Sequence, residues 1–421
     1  MDALPRQNWS EHHILSNRPG SAWFIAFFPK GIASGILGVL IPLYFVQSLH
    51  GSLLDLGVMS SFAVIVLIPA SIYLGRFPDK YQQSKPFILA SFLATGVILF
   101  VMSTTRSVFL FQVLYVLMNL TNYIAGPATS ILIAESYERS SWGKAMGRQR
   151  FVEGFAQATG LGICTFTANT LGYGSLLSAT PYLVFASFLV ALVAVRDPPL
   201  YIERFLSRLE APMEDVEALS FRVNSRGGIS KSRFESSHLG ETPKMGLFGI
   251  GMILFAFAAS ISFTSLTIFL TQKAGFSASL VFGVFFARSL AETFSYLVNS
   301  RLVTRSGGIA VKGAAATRVI LVLSLSLIPA LAMPGSVLLS LIILPMVAYS
   351  WSLYSLGTDI ITVQYAGSGG LGVYDAMASL GSSMGGFLGG ALPSIIGFEP
   401  LFTVSSLIFA AALMAFIASR T

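Results

Sequence analysis

Apolar residues along this chain gather into runs of about twenty, separated by short stretches that hold most of the charges and many of the prolines and glycines. A run of that length crosses a hydrocarbon core of roughly 30 Å as one helix. Helices are preferred to barrel strands, because the segments are too long and too uniformly apolar for ten-residue alternation. Twelve windows qualify. The first six run 22–48, 53–75, 86–104, 107–134, 149–171 and 175–195; the second six run 247–271, 277–299, 310–332, 336–358, 371–392 and 397–418. The fifth is the most polar, with Arg150, Glu153 and Gln157 near its start. Polar stretches at 1–21, 196–246 and 419–421 precede, divide and end the two sets. A shift of about 225 residues superposes the halves and carries Gly147 onto Gly372 and Gly160 onto Gly385. The predicted fold is an all-α polytopic membrane protein: twelve transmembrane helices in two six-helix bundles with pseudo-twofold symmetry, joined by the linker at 196–246.

Composition sharpens this picture. The chain is 54% apolar and 11% charged, less than half the charge of an ordinary soluble domain. That excludes a soluble enzyme, a nucleic-acid-binding domain and a disordered protein. The net charge of +7 would suit a nucleic-acid partner, but its placement points to membrane orientation instead. With both termini inside, 22 of the 26 Lys and Arg fall on the cytoplasmic side, Arg318 counted among them, and only Arg106 and Lys273 fall outside. Lys30 and Arg288 remain within spans. Such an imbalance predicts a cell-membrane protein with cytoplasmic termini. The single cysteine, Cys164, allows neither an intrachain disulfide nor a multi-thiolate metal site. The first twenty residues lack the layout of a cleavable signal peptide, so span one is expected to act as its own insertion signal.

Several short motifs resemble those of the major facilitator superfamily. After span two, Gly75-Arg-Phe-Pro-Asp79-Lys80 is similar to that family's loop of glycine, three residues, aspartate and a basic residue. Its later glycine and basic pair are replaced by Gln82, Gln83 and Ser84. The second half has Ser300-Arg-Leu-Val-Thr304-Arg305-Ser-Gly307, with the basic residue and glycine but no aspartate. Ala134-Glu135 with Arg139, Gly143 and Gly147 resembles the turn between spans four and five. The resemblance implies a gating role for Gly75, Asp79, Lys80, Glu135, Arg139 and Arg305. It also implies a central cavity lined by spans one, four, seven and ten. On the residues alone, these charges equally suit a solvated, orienting loop.

An ionisable side chain near a helix centre costs roughly 2.5–3.5 kcal/mol on insertion scales, so each needs a partner or a wet cavity. Lys30 is expected either to bind an anionic group or to pair with Glu153, against the plainer reading that it snorkels to the interface. Arg288 and Glu292 are spaced i, i+4 on one helical face, which suits a self-contained ion pair as well as a coupling device. Glu153 is a candidate proton carrier, since none of the four histidines lies in a span. Asn119, Asn122 and Tyr123 in span four, Gln157 in span five, and Trp351 and Tyr354 in span ten are candidate binding groups. The glycines of span eleven, from Gly367 to Gly390, lack a phosphate-loop ending and predict close helix packing.

The sequence thus predicts a secondary active transporter of a small organic solute, with a lean toward an anionic or amphipathic one. Alternating access is the expected mechanism and protons are the candidate coupling ion. The expected protein is monomeric, binds no cofactor, metal or nucleic acid, and catalyses no reaction. A solute sensor of transporter fold is the alternative.

Overall fold

The structure, a computed structural model, describes residues 21–74, 84–137, 142–197 and 244–420. Span one begins as a 3-10 turn, Ser21–Phe27, becomes an α-helix over Phe28–Leu43 and ends in a π turn, Tyr44–Ser48. Two prolines explain these changes. Pro29 sits in the first α-helical turn, directly after the 3-10 turn, where its fixed φ suits the start of an α-helix. Pro42 sits near the end and removes a backbone bond, and the wider π turn follows directly. Spans two, three and four are Leu53–Leu74, Lys85–Thr104 and Val108–Ser136. Spans five and six share the run Trp142–Ala194, interrupted at Gly172, whose φ of 73° is open to glycine and strained for a side chain. Span seven, Met245–Thr264, breaks at Ser265 and resumes over Leu266–Gln272. Spans eight, nine and twelve are Ala278–Arg305, Gly307–Leu325 and Phe398–Ala418.

Spans ten and eleven share one helical run, Met333–Ile396, of 64 residues. As a straight rod it would be about 96 Å long, some three times a hydrocarbon core. Contacts show that the chain doubles back instead. The Tyr354 ring stacks on Phe255 at 3.7 Å, while Gly381 lies against Ile253, two residues earlier in span seven. A straight helix would hold positions 354 and 381 about 40 Å apart. The reversal falls between Gly357, which rests on Val311 of span nine, and Tyr374, whose hydroxyl donates to the Met245 carbonyl. Spans ten and eleven are therefore antiparallel neighbours, and the described chain makes twelve crossings.

Span one packs on five and six, and span three on four and six, within the first bundle. In the second, seven packs on ten, eleven and twelve, and nine on ten and twelve. The bundles meet along two seams, span two with eleven and span five with eight. Lys85, Arg148, Lys244, Lys312 and Arg420 mark one face of the molecule, here called the basic face. The seams are tight toward the opposite face. A Cβ on Gly390 would lie 2.3 Å from the Leu53 carbonyl and 2.5 Å from the Gly57 Cα, so only glycines permit that approach. Deeper in the same seam, Ser61 Oγ donates to the Ser383 carbonyl at 2.8 Å. Along the other seam, the Ser279 amide donates to Asn169 Oδ1 at 3.2 Å, and Gly283 meets Thr165. Gln47 Nε2 donates to Thr271 Oγ1 at 3.3 Å, joining the ends of spans one and seven.

One sequence assignment is corrected here. Arg318 is not a basic-face charge; it is 2% exposed, eleven residues into span nine and well inside the second bundle.

Candidate functional site

Toward the basic face, spans two and eleven part around a cavity of about 960 Å³. Val64, Leu67 and Ile68 form one wall, and span eleven from Gly372 to Ser382 supplies most of the other. Span four contributes Tyr123, and span ten contributes Trp351 and Tyr354. Three of the residues predicted to bind solute thus share one chamber. Its walls are apolar and aromatic with few polar groups, the usual make-up of a site for a small organic molecule. The Tyr354 ring is 4% exposed, stacked on Phe255, and its hydroxyl is buried without a hydrogen-bond partner.

Lys30, Asn122, Glu153 and Gln157 line a second, smaller cavity of about 270 Å³ between spans one, four and five. Close packing brings them together, since Gly31 and Gly35 press directly on Ala156 and Gln157 of span five. Lys30 holds its place through its backbone: its amide donates to Ser187 Oγ of span six at 2.7 Å. The ammonium rests over the Phe92 ring, 5.0 Å from its centroid. Lys30 and Glu153 share the cavity without a direct ion pair, and Glu153 instead accepts from Gln149 Nε2 at 3.2 Å. Asn119 turns its amide to the Tyr115 carbonyl at 2.8 Å and lines an adjoining pocket with Asn122, whose own Oδ1 has no partner.

At the seam of spans five and eight, Glu153 and Gln157 also line a narrow space with Arg150 and Glu292. Arg288 and Glu292 form the i, i+4 ion pair at 3.3 Å, each side chain about a quarter exposed. Carboxylates from both bundles therefore face one gap where the bundles touch.

Arg318 is the residue that the sequence reading misplaced. Nε donates to Ser350 Oγ at 2.8 Å and Nη2 to the Val347 carbonyl at 3.2 Å, while Nη1 has no partner. Phe255, Phe263, Trp351 and Phe409 surround the guanidinium, 5.4 to 5.7 Å from its carbon. The signal was present, because Arg318 lies inside the apolar window 310–332. Of the expected gating residues, Gly75, Asp79, Lys80 and Arg139 lie outside the described residues. Glu135 and Arg305 sit in the helical ends of spans four and eight, and their side chains are not described.

The sequence profile of the Major Facilitator Superfamily matches residues 23–369. The chain belongs to that superfamily. It is therefore a membrane solute transporter by family. No curated protein matches it in sequence. Among solved structures, the nucleoside transporter NupG superposes with a TM-score of 0.71 at 14% identity, over 96% of this chain and 99% of that one. The xylose transporter XylE from E. coli, in a partially occluded inward-open conformation, gives 0.65 at 14% identity, over 94% and 98%. A bacterial homolog of the human lysosomal transporter Spinster, inward-facing and unoccupied, gives 0.62 at 13% identity, over 95% of each chain. At such identities these three share with this transporter its fold.

Proposed function

We propose that this transporter carries a small organic solute across the cell membrane by alternating access, and that the present conformation is its inward-facing state. The observation that carries the reading is the asymmetry between the faces. Three separate contacts, Gln47–Thr271, Leu53–Gly390 and Asn169–Ser279, close the opposite face, whereas toward the basic face the span two–eleven seam parts around the aromatic chamber and the span five–eight seam stays in contact through Phe151 and Phe294. The excess of Lys and Arg assigns the basic face to the cytoplasm. Rocking of the bundles about the chamber would exchange which face is closed.

In this reading the solute meets Tyr123, Trp351 and Tyr354 in the chamber, and Lys30, Asn119, Asn122 and Gln157, which line the first-bundle cavities, complete the binding groups. Coupling belongs to Glu153 with the Arg288–Glu292 pair. Their gap lies on a seam whose contacts must change as the bundles rock. Arg150 lines the same gap and Arg288 pairs with Glu292, so a proton taken up on Glu153 would change the charge balance of that seam. Protons are accordingly the proposed coupling ion. The gate on the basic face is assigned to Gly75, Asp79, Lys80, Glu135, Arg139 and Arg305, on the family resemblance of their motifs.

The test is solute counterflow in proteoliposomes. Vesicles preloaded with an unlabelled solute should accumulate its labelled form without ATP, and an inward or outward pH gradient should alter the rate several-fold. A sensor of the same fold would bind solute with no exchange at all, and that result would overturn the proposal.

A further inference from the structure

We infer that the Arg318 guanidinium and the Tyr354 hydroxyl form an anion-binding subsite behind the chamber's aromatic wall, and that the solute carries a carboxylate on a flat apolar body. This rests on the transport reading and names its substrate class.

The argument begins with charge. Arg288 and Arg318 both lean on the Phe263 ring, at 5.8 and 5.4 Å. Glu292 is taken by Arg288. Among the described residues no carboxylate lies within ion-pair distance of Arg318, so this centre carries one uncompensated positive charge deep in the bundle. The rings account for much of the cost of placing it there. Desolvated cation–π contacts offset much of the cost of inserting an arginine at a helix centre. What ring faces do not supply is an in-plane acceptor for Nη1, and an unmet buried donor is itself costly.

A second unmet group lies beside the first. The Tyr354 hydroxyl is buried and unpartnered, and its residue lines the chamber. Phe255 touches both groups, stacking on Tyr354 at 3.7 Å and lying 5.4 Å from the Arg318 carbon, so the two unpaired donors share one aromatic neighbour. Trp351 does the same, facing the chamber and lying 5.7 Å from the Arg318 carbon. A carboxylate entering between Trp351 and Tyr354 would accept from both donors, and the charge-assisted bond to arginine is the stronger kind. Asp359 and Asp375 both lie close enough to act on the Tyr354 hydroxyl electrostatically, so Arg318 must hold the anion against them.

The first bundle provides an internal comparison. The 225-residue shift that relates the halves carries Lys30 onto Phe255 and Phe92 to within one residue of Arg318. Each half therefore stacks a cation on a ring between its first and third spans, with cation and ring exchanged. Lys30 shares its cavity with Glu153. The carboxylate that acts on Arg318, Glu292, is already paired with Arg288, so the second bundle is the one that would accommodate an anion.

The experiment uses the full chain in detergent, titrated with benzoate, 1-naphthoate and octanoate, each beside its neutral amide, with melting temperature as the readout. At least one acid should raise the wild-type melting temperature while its amide does not. Tyr354→Phe keeps the ring stack and should weaken that acid about tenfold, and Arg318→Gln should abolish its effect. Arg318→Lys, which keeps the charge but loses the forked geometry, decides the matter where Arg318→Gln does not fold, and should bind the acid at least tenfold more weakly. The inference fails if acid and amide stabilise alike, if no acid stabilises, or if Tyr354→Phe titrates as wild type. Counterflow of a neutral solute alongside any of those results would leave the transport reading standing and remove only the anion.

Discussion

Around Phe263 two guanidiniums and one carboxylate settle their charges unequally. Arg288 is neutralised by Glu292 within its own helix, whereas Arg318 relies on rings and two oxygen acceptors. Breaking the pair from one side should therefore cost more than removing it whole, because a lone charge stays behind in a poorly hydrated seam. Glu292→Gln and Arg288→Met are each expected to lower the melting temperature. The double variant should recover part of the loss, with a coupling of about 1 kcal/mol given the partial exposure of both side chains. Strictly additive losses in the double-mutant cycle would mean that the two groups do not interact. The i, i+4 spacing made this pair visible in the sequence. Nothing local revealed that Arg318 is unpaired, since its surroundings come from spans seven, ten and twelve.

Span eleven uses its glycines on two sides. Gly381, Gly385 and Gly389 lie against the backbone of span seven in the same bundle, and Gly386 and Gly390 lie against span two of the other. The four-residue spacing places each set on its own stripe of the helix. Substitutions on the two stripes should then have different consequences. Gly390→Val would hold spans two and eleven apart and should open the far face. A cysteine at Ser60, in a Cys164→Ala background, would then react several-fold faster with an impermeant maleimide added from that side. Gly385→Val should instead unseat span seven and lower the melting temperature with little change in labelling. Equal effects of the two on labelling would show that the seam is not the seal. The sequence indicated close packing for these glycines but not the partner of each stripe, because a hydropathy window carries no information about distant helices.

At the scale of the molecule, the pseudo-twofold relation shows in the seal itself. Gln47, whose equivalent under the 225-residue shift is Gln272, bonds to Thr271, so the contact nearly joins two related points across the axis. Ser61 and Ser383 meet deeper in the span two–eleven seam, with hydroxyl oxygens 2.9 Å apart. Side chains this short in contact imply a Cβ separation compatible with a disulfide. Ser61→Cys with Ser383→Cys, again without Cys164, should cross-link under mild oxidation and fix the bundles with the far face closed. Counterflow should fall more than tenfold and return on reduction. Full transport by the oxidised, cross-linked protein would show that the seam need not part, contrary to alternating access.

Taken alone, the sequence determined that the chain is helical, that it crosses the membrane twelve times, and that its two halves repeat. Those properties follow from averages over about twenty neighbouring residues, since a span must bury its backbone bonds whatever surrounds it. Tertiary structure decided the rest. It placed Arg318 inside the second bundle, brought Tyr123, Trp351 and Tyr354 to one chamber, and set Lys30 over Phe92 rather than against Glu153. It also decided which face is closed. Such outcomes depend on contacts between residues as far apart as Ser61 and Ser383, and a lone charge within an apolar window reads the same in sequence whether its partner is a carboxylate, a ring or a solute.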